Sequence, residues 1–76
     1  MGKYNGHKNW NHWNVSLWIN NDEGLYRIAQ QWVRISKTRV IAATEMFAEL
    51  EELGTTRTPD GAPYSVSSIR AAMVGM

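Results

Sequence analysis

From Leu25 to Ile35 the apolar residues recur with the period of a helix. Leu25, Ile28, Ala29, Trp32, Val33 and Ser36 share one side, and Arg27, Gln30, Gln31 and Arg34 share the other. A 3.6-residue repeat of this kind predicts an amphipathic helix ending near residue 35. Asn21 or Asp22 precedes it as a cap, and Asp22 and Glu23 lie where the positive helix end favours acids. A second repeat spans about 38–53. Val40, Ala43, Met46, Phe47, Leu50 and Leu53 form its expected inward face, and Glu45, Glu49 and Glu52 line the opposite one. Gly54 follows as a left-handed closing residue.

No Gly or Pro separates these two repeats. A single helix of ~30 residues would be ~45 Å long, against a radius of gyration of ~11 Å for a compact domain of this size. The apolar phase also slips across Ser36-Lys37-Thr38-Arg39. We therefore place a break there with Ser36 as the cap, although Lys37 and Arg39 then face an unfavourable positive helix end.

Upstream, Asn9 or Asn11 can cap a shorter helix over about 10–20. Trp10, Trp13, Leu17 and Trp18 occupy one broad arc of it, extended by Val15 and Ile19. So apolar a helix is either wrapped by the rest of the domain or presented to a partner. Residues 1–9 read as an extended lead-in. Residues 55–64 read as a loop around Pro59-Asp60-Gly61, where Pro fixes φ, Asp bonds locally and Gly takes positive φ. Ser65 caps a last helix over about 66–74, with Val66, Ile69 and Met73 inward. The expectation is one all-α domain over 1–76, a small three- to four-helix bundle packed around tryptophan and leucine.

The chain has 76 residues and no cysteine, which excludes disulfides, thiolate zinc sites and a cysteine nucleophile. His7 and His12, five apart, do not share a helix face, so no metal or other cofactor is expected. No apolar run approaches the ~18 residues of a membrane span. The polar start MGKYNGHKNW lacks the apolar core of a secretion signal, and a cytoplasmic protein without membrane partners is expected.

The net charge of +1 is too small for strong nonspecific nucleic-acid binding. It is unevenly distributed, with +4 on residues 1–39 and −3 on residues 40–76. The hydroxyls lack a G-x-S-x-G context and there is no phosphate-binding glycine loop, so no enzyme is expected. Glu45, Glu49 and Glu52, spaced i, i+4, i+7, align as an acidic stripe, either a solvated face or a mimic of phosphates. The four tryptophans all lie within residues 10–32. They form the core, or Trp10 and Trp18 anchor a partner or a dimer, since aromatic side chains bury large areas at low entropic cost. Arg27, Arg34, Lys37 and Arg39 make a basic patch and a second reading, a helix-turn-helix on nucleic acid. Against it, the connection lacks a glycine and Glu45 and Glu49 face outward.

The stretch Trp13-Asn14-Val15-Ser16-Leu17-Trp18-Ile19-Asn20-Asn21-Asp22-Glu23-Gly24-Leu25-Tyr26 resembles a signature, W-N-V-x-L-W-I-x-N-D-E-G-L-Y, of small uncharacterised phage and plasmid proteins. His12 departs from it, and the chain from Thr55 onward is outside it. The resemblance implies a mobile-element accessory protein of anti-CRISPR or anti-restriction type. It implies a host defence protein or ribonucleoprotein complex as partner. The expected function is inhibition by occlusion in the host cytoplasm. Glu45, Glu49, Glu52, Trp10 and Trp18 are the candidate contacts. A nucleic-acid-binding regulator and an oligomerising, homodimeric module are the alternatives.

Overall fold

The computed structural model describes residues 6–76, so residues 1–5 of the expected lead-in lie outside the described residues. Residues 6–9 lead irregularly into α1, Trp10–Asn21. Asn9 caps it, its side-chain oxygen accepting the His12 N–H at 3.0 Å. Asp22 alone joins α1 to α2, Glu23–Ile35. Its backbone N–H closes α1 on the Trp18 carbonyl at 2.9 Å, while its carboxylate accepts the Leu25 N–H at 3.0 Å and opens α2. One extended residue thus ends one helix and begins the next.

The break after α2 is real, but Ser36 is not the cap of the following helix. The Ser36 N–H still bonds the Trp32 carbonyl at 3.0 Å and so terminates α2. Thr38 caps α3, Arg39–Glu52, its hydroxyl accepting the Ile41 N–H at 3.1 Å. The awkward charge at this positive end is relieved by geometry. Arg39 turns away and donates to the carbonyls of Met73 (3.1 Å) and Met76 (3.4 Å) beyond the fourth helix. A cation is favourable at that C-terminal end.

α3 closes as the sequence predicts. Gly54 takes φ 78°, and the N–H groups of Gly54 and Thr55 bond the carbonyls of Glu51 and Leu50, the Schellman arrangement. The following loop doubles back through one antiparallel bridge, Arg57 to Pro63, with a tight turn in which the Gly61 N–H donates to the Thr58 carbonyl at 2.8 Å. Ser65 and Ser68 form a reciprocal capping box for α4, Val66–Ala72, which is two residues shorter than expected.

The helices form a ring. α1 packs on α2 and α4, α3 packs on the same two, and α1 and α3 stand diagonally across it. The radius of gyration is 11.4 Å. The core comprises Val15 and Ile19 from α1, Ala29 from α2, Ala42, Ala43, Met46 and Leu50 from α3, Ala62 and Tyr64 from the loop, and Ile69, Ala72 and Met73 around α4.

This corrects the tryptophan-centred expectation, since no indole is fully buried. Buried alanines on α2, α3 and α4, namely Ala29, Ala42, Ala43 and Ala72, allow close approach of helices and favour aliphatic side chains over an indole between them. Two indole N–H groups also reach partners near the surface, which keeps their rings there. The α3 face shifts as well: Ala42 joins the core, while Val40 and Leu53, at the two helix ends, project into solvent.

Candidate functional site

The acidic stripe survives folding as a groove. Glu45, Glu49 and Glu52 line it from α3 together with Ala48, and Gln31 and Trp32 line it from α2, enclosing about 470 Å³. Its chemistry follows from the α2–α3 crossing. Trp32 packs, partly buried, against the core, and its Nε1–H donates to Glu49 Oε1 at 2.7 Å. Glu49 is thereby oriented, while Glu45 and Glu52 are exposed. Among the described residues none of the three carboxylates is in an ion pair; the pair present is Arg27–Glu23, 2.7 Å apart on the exposed face of α2. The site can therefore offer three carboxylates beside an aromatic wall to a cationic surface.

Trp18 and Trp10, the two candidate aromatic anchors, are placed differently. Trp18 lines a second groove of about 480 Å³, whose other walls include Leu25, Ile28, Leu50, Leu53 and Tyr64. Trp10 sits at the start of α1, 39 % exposed, and lines neither groove. The structure thus brings Trp18 to the vicinity of α3 and leaves Trp10 apart.

The basic set is dispersed by its own bonds. Arg27 is paired with Glu23, and Arg39 is spent on the Met73 and Met76 carbonyls. Arg34 lines a shallow depression with Gln30, Val33 and Met76, and Lys37 is exposed in the α2–α3 connection.

One constellation escaped the sequence reading. Asn14, 1 % exposed, donates through Nδ2 to Asp60 Oδ2 at 2.9 Å, and Trp18 Nε1–H donates to the same oxygen at 2.9 Å. The Thr58 hydroxyl donates to Asn14 Oδ1 and accepts the Ala62 N–H at 3.0 Å. These bonds lash the 55–64 loop to α1 and so set one wall of the second groove. Hydrogen bonds from Asn14 and then Trp18 hold the Asp60 pKa below the ordinary carboxylate value. Asn14 and Trp18, four apart, gave the only signal, a helix edge able to offer two donors to one acceptor.

Tyr64, on the floor of that groove, has its phenol pKa raised, by burial first and by the Asp22 carboxylate second. A further polar pair ties α1 to α4, with Ser67 Oγ 3.1 Å from His12 Nε2. The His12 pKa is lowered by partial burial and then by Lys8 and His7. No carboxylate is hydrogen-bonded to this imidazole among the described residues, so the orienting group of a nucleophilic triad is absent there.

Among the described residues no three His, Asp or Glu side chains are placed to hold a metal ion. Likewise, no described helix is long and apolar enough to cross a membrane. Neither curated proteins nor solved structures yield a match to this chain. A family model does match, that of a family of unknown function (DUF7249), over residues 1–76. Matched along its whole length, the chain belongs to the DUF7249 family.

Proposed function

We propose that this chain is a protein-binding module that occupies a basic surface of a larger partner through its α2–α3 groove and blocks it sterically. The observation that carries this reading is the set of three carboxylates, unpaired among the described residues, gathered with Trp32 along one groove. Anionic side chains held on a rigid helix can present charge where a partner expects phosphates. Such complementarity speeds encounter and sets specificity. A surface that binds nucleic acid is basic, and so is one that such a stripe would match. In the setting that the N-terminal signature implies, the partner is a CRISPR effector or restriction complex in the host cell, inhibited by occlusion. The nucleic-acid reading has less support, because Arg27 and Arg39 are already engaged within the chain.

The test is affinity capture from host lysate with native protein and with the Glu45→Lys/Glu49→Lys/Glu52→Lys variant, read by mass spectrometry. The expected result is a partner retained by the native chain and lost by the variant, with helical circular dichroism preserved. Equal recovery by both proteins removes the acidic groove from the mechanism.

A further inference from the structure

α3 presents different chemistry on two sides of its last turns. Successive residues on a helix point about 100° apart. Glu49 and Glu52 therefore line the acidic groove, while their neighbours Leu50 and Leu53 line the groove shared with Trp18. That second groove has the anatomy of a ligand site, with apolar walls from Leu25, Ile28, Leu50 and Leu53 and a few polar groups, Asp22, Arg57 and Tyr64 among them.

Tyr64 is the most buried of these three. The residue is only 5 % exposed, and among the described residues its bond to a neighbour runs through its backbone N–H, to the Thr56 carbonyl, rather than through its hydroxyl. The hydroxyl is nevertheless not sealed off, because no unpartnered side-chain polar atom is fully buried among the described residues. Tyr64 lines the groove, which places it among the groups a guest there would meet. Leu53 stands on the rim at 66 % exposure, a large aliphatic side chain left uncovered.

Resting on the acidic-groove reading above, we propose that the two grooves form one docking surface for a single basic protein segment carrying a bulky apolar anchor. Its Lys and Arg side chains meet Glu45, Glu49 and Glu52. The anchor enters between Leu25, Ile28, Leu50 and Leu53 and brings a polar edge or a backbone group to the Tyr64 hydroxyl. Charge complementarity selects the occupant, since the three carboxylates repel nucleic acid and anionic lipid and attract a cationic chain. The exposed rim residue points the same way, because a segment lying across α3 covers Leu53 whereas a small molecule seated in the groove leaves it in water. One deeply seated apolar side chain ringed by charges is the usual arrangement of an interface hot spot.

The experiment uses the full chain and a random dodecapeptide library displayed on phage, followed by titration of the best synthetic peptide. Binding is read at the indole N–H resonances of Trp18 and Trp32, one reporter per groove. The expected peptides combine several Lys or Arg residues with one Phe, Trp or Leu, and they shift both indoles. Replacing the anchor by Ala in the peptide, or Leu53→Asp in the protein, weakens binding at least tenfold, and so does reversal of the three glutamates. The peptide variant keeps the test valid even if Leu53→Asp disturbs folding. If anchor removal costs less than threefold and Trp32 alone responds, the joint surface is overturned while the acidic groove stands. If Trp18 alone responds and glutamate reversal has no effect, both readings fail. Failure to enrich any such peptide overturns the joint surface.

Discussion

Asn14 is the residue whose removal tests most directly how this fold holds its loop. Its amide is buried and bonded at both ends, to Asp60 through the nitrogen and to Thr58 through the oxygen. Asn14→Ala leaves the Thr58 hydroxyl, itself buried, without its acceptor. A buried donor left unmade costs about 1–3 kcal/mol. The variant no longer has to desolvate an amide, and the Asp60 bond lies at the surface, so the lower half of that range applies, about 1–2 kcal/mol. A domain of 76 residues has a total stability of about 4–11 kcal/mol, so the change is a sizeable fraction. At about 4–8 °C per kcal/mol for this size, the midpoint should fall by about 5–15 °C. Thermal unfolding followed by circular dichroism gives the midpoint. Amide hydrogen exchange locates the damage, with faster exchange expected at Gly61, Ala62 and Tyr64, whose N–H groups are all bonded within the loop. A midpoint lowered by less than 2 °C, or exchange that accelerates equally in α2 and α3, refutes the reasoning.

The remaining predictions concern pH and packing. Asp60 titrates below its ordinary 3.8 in the fold, so its stabilisation is complete above that value and lost as pH falls through the folded pKa. The Trp18 indole resonance should move in that acid range and should stay fixed in Asp60→Asn. His12 titrates below its ordinary 6.5, so the unfolded chain takes up the proton first and stability declines as pH falls below 6.5. His12→Gln should flatten that part of a pH–stability profile measured by urea unfolding. Gly54→Ala places a side chain in a left-handed position with open space around it. It should cost about 1 kcal/mol from backbone strain alone, after the gain from a stiffer unfolded chain. Met46→Ala opens the centre of the core and should cost about 2–5 kcal/mol in the same urea assay.

Local signals were read well wherever a cap or a period decided the outcome. Asn9, Asp22, Gly54 and Ser65 each act at the helix ends their chemistry favours, because capping is a contest among a few neighbouring atoms. The alignment of Glu45, Glu49 and Glu52 was equally legible, since it depends only on helical pitch. The choice of core was not. Which side of α1 turns inward depends on α4, a helix more than forty residues away, and Val15 and Ile19 win over the larger indoles because they fit the space between helices. Trp32 as the partner of Glu49 and the Asn14–Thr58–Asp60 network follow from a crossing angle and a loop path that no local pattern encodes. The misplaced cap at Ser36 has a similar origin, since Thr38 takes over once Arg39 can reach the end of α4.

The single residue at the α1–α2 corner leaves the chain no slack there. With Asp22 serving both helices, the rotational phase of α2 is geared to that of α1. An inserted residue that extended α2 backward would turn its register by about 100° and carry Ala29 out of the core position it now fills. Length at this corner is therefore a tighter requirement than the identity of most residues on either helix, and an insertion at position 22 should cripple folding where one in the 55–57 stretch is absorbed.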